Sequence, residues 1–152
     1  MKSDFVLLSL CFFTLAIGGA VEELAPKFIG VGFPVLLSAS VFHACRRSLP
    51  AMVVFVVAAG AAEDALCALP PFTSIAFFAL AAAAARWLGH AAAVAFLAYP
   101  LYQLWLWTWC SGLDGGLFGR LLVSVPVGGI AVVLLWPLLA WLERRGALNG
   151  RE

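Results

Sequence analysis

Residues 49–71 read LPAMVVFVVAAGAAEDALCALPP. From Leu49-Pro50 the run stays apolar or small until Glu63-Asp64, and Pro70-Pro71 breaks it. A helix that crosses a bilayer needs about 20 mostly apolar residues, and this stretch supplies them over 50–69, with its charges confined to one end. The flanking sequence repeats the pattern. Upstream, an apolar run over 28–45 stops at Arg46-Arg47, and another over 5–20 is closed by Glu22-Glu23. Downstream, the runs 72–88, 91–110 and 117–142 are separated by Gly89-His90 and by the Gly-rich turn Ser111–Gly116. The chain is therefore predicted to be all-α: a polytopic integral membrane protein of about six transmembrane helices, one domain over 1–152.

Composition points the same way. Of 152 residues, 64% are hydrophobic and 11% charged, against about 45–50% and about 25% in soluble domains. A water-soluble core of this size cannot enclose that surplus, so it must face lipid. The net charge of +1 offers no field for nucleic acid. Cys11, Cys45, Cys67 and Cys110 form no Cys-x-x-Cys pair, and His43 and His90 stand apart, so no metal site is expected. Gly-x-Ser-x-Gly, His-Glu-x-x-His and phosphate-loop patterns do not occur, so neither catalytic residues nor a cofactor are expected. The first run carries Lys2 and ends at Gly18-Gly19-Ala20, the parts of a cleavable leader. Asp4, however, lies in what would be the leader's basic region, and the run is read as a retained span.

Basic residues in short loops favour the cytoplasmic side. With six spans and the N-terminus inside, Lys2, Arg46, Arg47, Arg86, Arg144, Arg145 and Arg151 fall in the cytoplasm, leaving Lys27 and Arg120 outside, a split of seven to two. Both termini are then cytoplasmic. Tyr99, Tyr102, Trp105, Trp107 and Trp109 gather in the outer half of the fifth run, where headgroup depth suits a ring with a polar tip.

The third run carries the most specific information. Gly60, Asp64 and Ala68 are spaced by four and share a helix face, the small-residue pattern that lets helices approach closely in a membrane. Glu63 and Asp64 stand near a helix C-terminus, where the macrodipole disfavours carboxylates, so they need a partner. Lys27 and Arg120 are the candidate charge partners, being the basic residues on the same side. A solvated pair of acids and a ligand or proton role are the alternatives. Pro34, Pro100, Pro126 and Pro137 interrupt later runs, and Gly128-Gly129 marks a kink or close crossing.

The element Gly60-Ala61-Ala62-Glu63-Asp64 at the end of a third helix resembles the rod shape-determining MreD family, which has a Gly-x-x-x-Asp element at this place. A short turn and an aromatic-rich helix follow, here Pro70 to Phe78, and the plan of a short chain with a basic tail after a Pro-bearing last helix is similar over nearly the whole length. The family often has a glycine eight residues after the aspartate, where this chain has Phe72. The resemblance implies an architecture similar to the S-components of energy-coupling-factor transporters. It also implies a non-enzymatic scaffold of the peptidoglycan elongation machinery, acting with an MreC-like bitopic protein, actin-like MreB filaments and the wall polymerase and transpeptidase. Asp64, with Gly60 beside it, would be the family-matched position; together with Glu63 and Ala68, read from spacing and charge, they form the helix-packing and assembly set. The alternative is a substrate-binding membrane subunit of a vitamin or metal transporter, whose signature would be a polar pocket on the outer side.

Overall fold

The computed structural model of the chain describes residues 2–29, 33–108 and 117–149, without the side chains at 2–10, 25, 26, 29, 117, 118, 120 and 146–149. These residues form six helices: α1 (Lys2–Ile29), α2 (Val35–Arg46), α3 (Leu49–Leu66), α4 (Thr73–Leu88), α5 (Ala91–Leu106) and α6 (Leu117–Asn149). Two stretches are long and apolar enough to cross a membrane, Leu49–Leu66 and Leu121–Arg145, while α2, α4 and α5 are apolar but shorter. The turn at 111–116 lies outside the described residues.

The second predicted span differs most from the structure. Phe28 belongs to the end of α1, and α2 begins only behind Pro34, which stands at its N-cap. Proline has no N–H to donate, so it sits at a helix entry without loss. What remains is a helix of 12 residues, about 18 Å long at 1.5 Å per residue, against a hydrocarbon core of about 30 Å.

This short helix is the centre of the bundle. Every residue from Val35 to Ala44 is buried, and α2 touches all five other helices. Ser40 Oγ returns its hydrogen to Leu36 O at 2.8 Å, and the His43 ring lies against those of Phe42 and Phe55, at 5.5 and 4.5 Å. The buried packing of α2 is joined by polar contacts at both ends. At the C-terminus, Arg86 Nη1 from α4 donates to Ala44 O and Arg47 O at 3.1 and 2.9 Å. Glu143 of α6 binds both following arginines, Arg46 at 2.9 Å and Arg47 at 3.2 Å. A guanidinium at the negative end of a helix is electrostatically favourable. The opposite end of α2 is held by a carboxylate, described below.

The outer faces of the bundle are apolar. Phe12 and Ile17 on α1, Val54 on α3, Leu80 on α4, Leu97 on α5 and Val133 on α6 are all more than half exposed. Contiguous apolar surface beyond a few hundred Å² is rare on a soluble monomer. The aromatic residues of α5 divide between inside and outside. Tyr99 and Tyr102 are buried rather than placed at an interface, with Tyr102 against Phe77 and Phe78 of α4 at 5.1 and 5.6 Å.

The turn from α3 to α4 contains two strained positions. Ala68 (φ 51°) and Phe72 (φ 71°) both take left-handed backbone, which costs an L-residue about 1–2 kcal/mol. At Ala68 the reason is the helix stop: Leu69 N reaches back to Asp64 O at 2.9 Å, the long closing bond of a Schellman motif, whose left-handed residue is usually glycine. Phe72 occupies the N-cap of α4 with its side chain 71% exposed, so little packing offsets the strain. Phe72→Gly is expected to stabilise the protein by about 1 kcal/mol, read as a raised melting temperature in detergent. An unchanged or lowered melting temperature would show that the Phe72 ring contributes more than its backbone costs.

Candidate functional site

The first turns of α2 and α4 open at the same end of the bundle, and each needs acceptors for its unpaired N–H groups. Acids from the ends of neighbouring helices supply them. Glu22, in the last turns of α1, accepts from Leu36 N at 2.8 Å, while Val35 N donates to Phe33 O at 2.8 Å. Asp64 Oδ1, in the last turn of α3, accepts from Ser74 N at 2.7 Å. In both helices the bonded N–H is that of the second residue after the N-cap, Pro34 or Phe72, one of the two donors that an N-cap side chain ordinarily serves. Thus each acid occupies the unfavourable end of its own helix and the favourable end of the next.

Glu63 joins the two caps. Ser74 Oγ and Tyr102 Oη share a hydrogen bond of 2.5 Å. Tyr102 Oη donates to Glu63 Oε1 at 3.5 Å, and Cys67 Sγ donates to the same oxygen at 3.6 Å. The carboxyl of Glu63 in turn meets that of Glu22 within hydrogen-bonding reach. One polar network therefore runs from Asp64 through Ser74, Tyr102 and Glu63 to Glu22, tying together α1, α2, α3, α4 and α5. Beside it lies a cavity of about 140 Å³, with Glu22, Glu63, Tyr102 and Gln103 among its polar lining and Leu37, Phe78 and Leu106 among its apolar walls. Gln103 pairs with Tyr99 within its own helix.

The network is incompletely satisfied. Glu22 Oε2, Glu63 Oε2 and Asp64 Oδ2 are buried without a hydrogen-bond donor among the described groups. A buried carboxyl oxygen without a partner is costly, and two carboxyls in contact require a positive charge, a proton or a cation, between them.

Of the residues singled out from the sequence, Gly60 lies where α3 and α4 cross. A Cβ built there would stand 2.6 Å from Ile75 Cα and 2.7 Å from Ile75 N. Glu63 and Asp64 are buried, at 8% and 6% exposure. Ala68 does not share their face: α3 ends at Leu66, and the left-handed turn leaves Ala68 exposed beyond the helix. Lys27 does not reach Asp64, because it is bound to Glu23 one turn back, at 2.8 Å. That bond holds the Glu23 carboxyl below its ordinary pKa. The side chain of Arg120 lies outside the described residues. Glu22, Ser74 and Tyr102 were not foreseen as partners. The signal for Glu22 was its position: Glu22-Glu23 closes an apolar run much as Glu63-Asp64 closes the third.

No protein-family model matches the chain, and no curated protein or solved structure is significantly similar to it.

Proposed function

We propose that the chain is a six-span subunit of a bacterial inner membrane, with both termini cytoplasmic, acting as a non-enzymatic scaffold of the MreD type in the wall-elongation machinery. Its direct partner is an MreC-like bitopic protein, which links it to MreB filaments and to the polymerase and transpeptidase. The observation that carries this reading is the α3–α4 clamp. Gly60 and Asp64, the two positions of the Gly-x-x-x-Asp element, both act on α4: one removes its side chain so that the Ile75 backbone can approach, and the other caps the helix. The residue eight positions after Asp64, where the family has glycine, is Phe72, whose positive φ is a backbone conformation that glycine favours. An element used this way serves packing, as a scaffold requires. The apolar outer faces and the basic cluster Arg46, Arg47 and Arg86 at one end of the bundle support the membrane reading and its orientation.

The cavity favours a second reading, a substrate-binding subunit of a small-molecule transporter. Affinity purification of the tagged full chain from native membranes separates the two. The scaffold reading expects an MreC-like bitopic protein to co-purify, while the transporter reading expects an ATPase-bearing membrane complex. Reporter fusions at residue 152 and within 111–116 are expected to report opposite sides of the membrane. Recovery of an ATPase complex without an MreC-like protein would overturn the scaffold proposal, and fusions reporting the same side would overturn the topology.

A further inference from the structure

Glu22 stands on α1 and Glu63 on α3, and their carboxyls meet within hydrogen-bonding reach. Each Oε1 is engaged elsewhere. Glu22 Oε1 accepts from Leu36 N at 2.8 Å, and Glu63 Oε1 from Tyr102 Oη at 3.5 Å and Cys67 Sγ at 3.6 Å. Both Oε2 atoms are buried and take no hydrogen from the described donors. Two ionised carboxyls only accept, so neither could satisfy the other. They would also repel each other where water is scarce. A carboxylic acid, by contrast, donates to its neighbour. Among the described side chains no base faces the pair. On α1 the adjacent charges, Glu23 and Lys27, are bound to each other at 2.8 Å. Asp64 and Cys67 from α3 and its turn, and Tyr99 and Tyr102 from α5, are all acids. His43, Arg46 and Arg47 on α2, Arg86 on α4, and Arg144 and Arg145 on α6 belong to the opposite end of the bundle, around Glu143 and the α2 C-terminus.

We propose that Glu22 and Glu63 form a proton-operated latch: one shared proton fastens the end of α1 to α3, and its loss opens the seam between them beside the cavity. The cavity matters because both acids line it, so parting them widens it. Glu22 is also the acceptor for the first turn of α2, so an α1 that swings away leaves Leu36 N bare. The direction of the pH response follows from proton counting. Once parted, the two acids are ordinary glutamates with a pKa of about 4.3, both ionised at neutral pH. The closed state then binds one proton more than the open state. Closure is therefore strongest at low pH and weakens as pH rises above about 4.3, by about tenfold per pH unit, until the closed pair gives up its own proton. The inference stands on the carboxyl contact and holds under either reading of the chain's function.

The test compares the purified full chain in detergent with Glu22→Gln and Glu63→Gln between about pH 5 and about pH 9. Each glutamine keeps an oxygen for the partners of Oε1 and donates an N–H to the remaining carboxylate at any pH, so it imitates the protonated pair. Both variants are expected to melt level with the unmodified protein at the acid end and above it at the alkaline end. Amide hydrogen exchange locates the effect. Relative to either variant at the same pH, exchange over 34–38 in the unmodified protein is expected to accelerate by about tenfold per pH unit, while 43–47, at the other end of α2, stays level. The infrared carbonyl band of a protonated carboxyl, present in the unmodified protein at neutral pH and lost in Glu63→Gln, reads the proton itself. Variants less stable than the unmodified protein at every pH would show that a base holds the pair as carboxylates. Parallel exchange over 34–38 in all three proteins would leave the pair without a latching role. Absence of the infrared band would remove the proton. Each of these outcomes overturns the proposal, and the last needs no variant.

Discussion

Gly60→Leu is expected to abolish accumulation of folded protein, and Gly60→Ala to destabilise it by about 3 kcal/mol. The obstacle is backbone rather than side chain. At Gly60 the first added carbon already lies 2.6 Å from Ile75 Cα and 2.7 Å from Ile75 N, and a backbone atom inside a helix cannot rotate away. Relief requires α4 to move outward as a body. That shift would draw Ser74 N from Asp64 and disturb the Ser74–Tyr102 hydrogen bond, so the steric cost spreads into the polar network. Gly18 provides the internal control. A Cβ there would meet Leu36 Cδ2 at 2.8 Å, a similar distance but to the far end of a flexible side chain. Gly18→Ala is therefore expected to cost at most about 1 kcal/mol. Thermal unfolding of the three variants in detergent, alongside yield from membranes, reads the ranking. If Gly60→Ala melts with Gly18→Ala, the α3–α4 contact is looser than the structure has it.

The second large effect is at Asp64, where the choice of replacement separates acceptor from charge. Asp64→Ala leaves Ser74 N without its acceptor in a buried helix start, at a cost of about 1–3 kcal/mol. Asp64→Asn retains an oxygen of the same reach and gives up only the charge–dipole part, about 0.3–1 kcal/mol. Denaturation of both variants is expected to place Asn closer to the unmodified protein than to Ala. Lys27→Ala combined with Asp64→Ala is expected to be additive, since Lys27 is bound to Glu23 and residues without a shared partner do not couple. Asn as damaging as Ala, together with strong coupling to Lys27, would replace the cap with an ion pair.

The helical class could be read directly, because apolar length is a property of the chain itself, and the last four helices begin within a residue of the apolar runs. So could the importance of Gly60 and Asp64: a spacing of four places both on one face, and an acid at a helix C-terminus calls for compensation. Its compensating partner could not be read. Counting charges leads to Lys27, which the structure binds to Glu23 instead, while Asp64 accepts from the N–H of Ser74, a group no sequence pattern marks. Glu22 stayed hidden for a related reason. Treating Phe28 as the start of the second span removes the helix entry at Pro34, and with it the donors that Glu22 serves. Ala68 fits the small-residue spacing only while the helix continues, and local backbone closure at Leu69 ends it first. Tyr102 has the composition of an interfacial anchor, and only packing against α4 shows it to be interior.

On the membrane reading proposed above, the two-ended anchoring of α2 also bears on how the chain is inserted during synthesis. Glu22 leaves the ribosome before the helix it caps, so the N-terminal end of α2 finds its acceptor at once. The carbonyl of Ala44 waits for Arg86, 42 residues later in the chain. At translation rates of about 5–20 residues per second, that delay is roughly 2–8 seconds. Throughout it, a helix of 12 residues has one end dressed and the other bare, and it is too short to settle across the hydrocarbon by itself. On that reading α2 would await α4, and the two segments would enter as a pair.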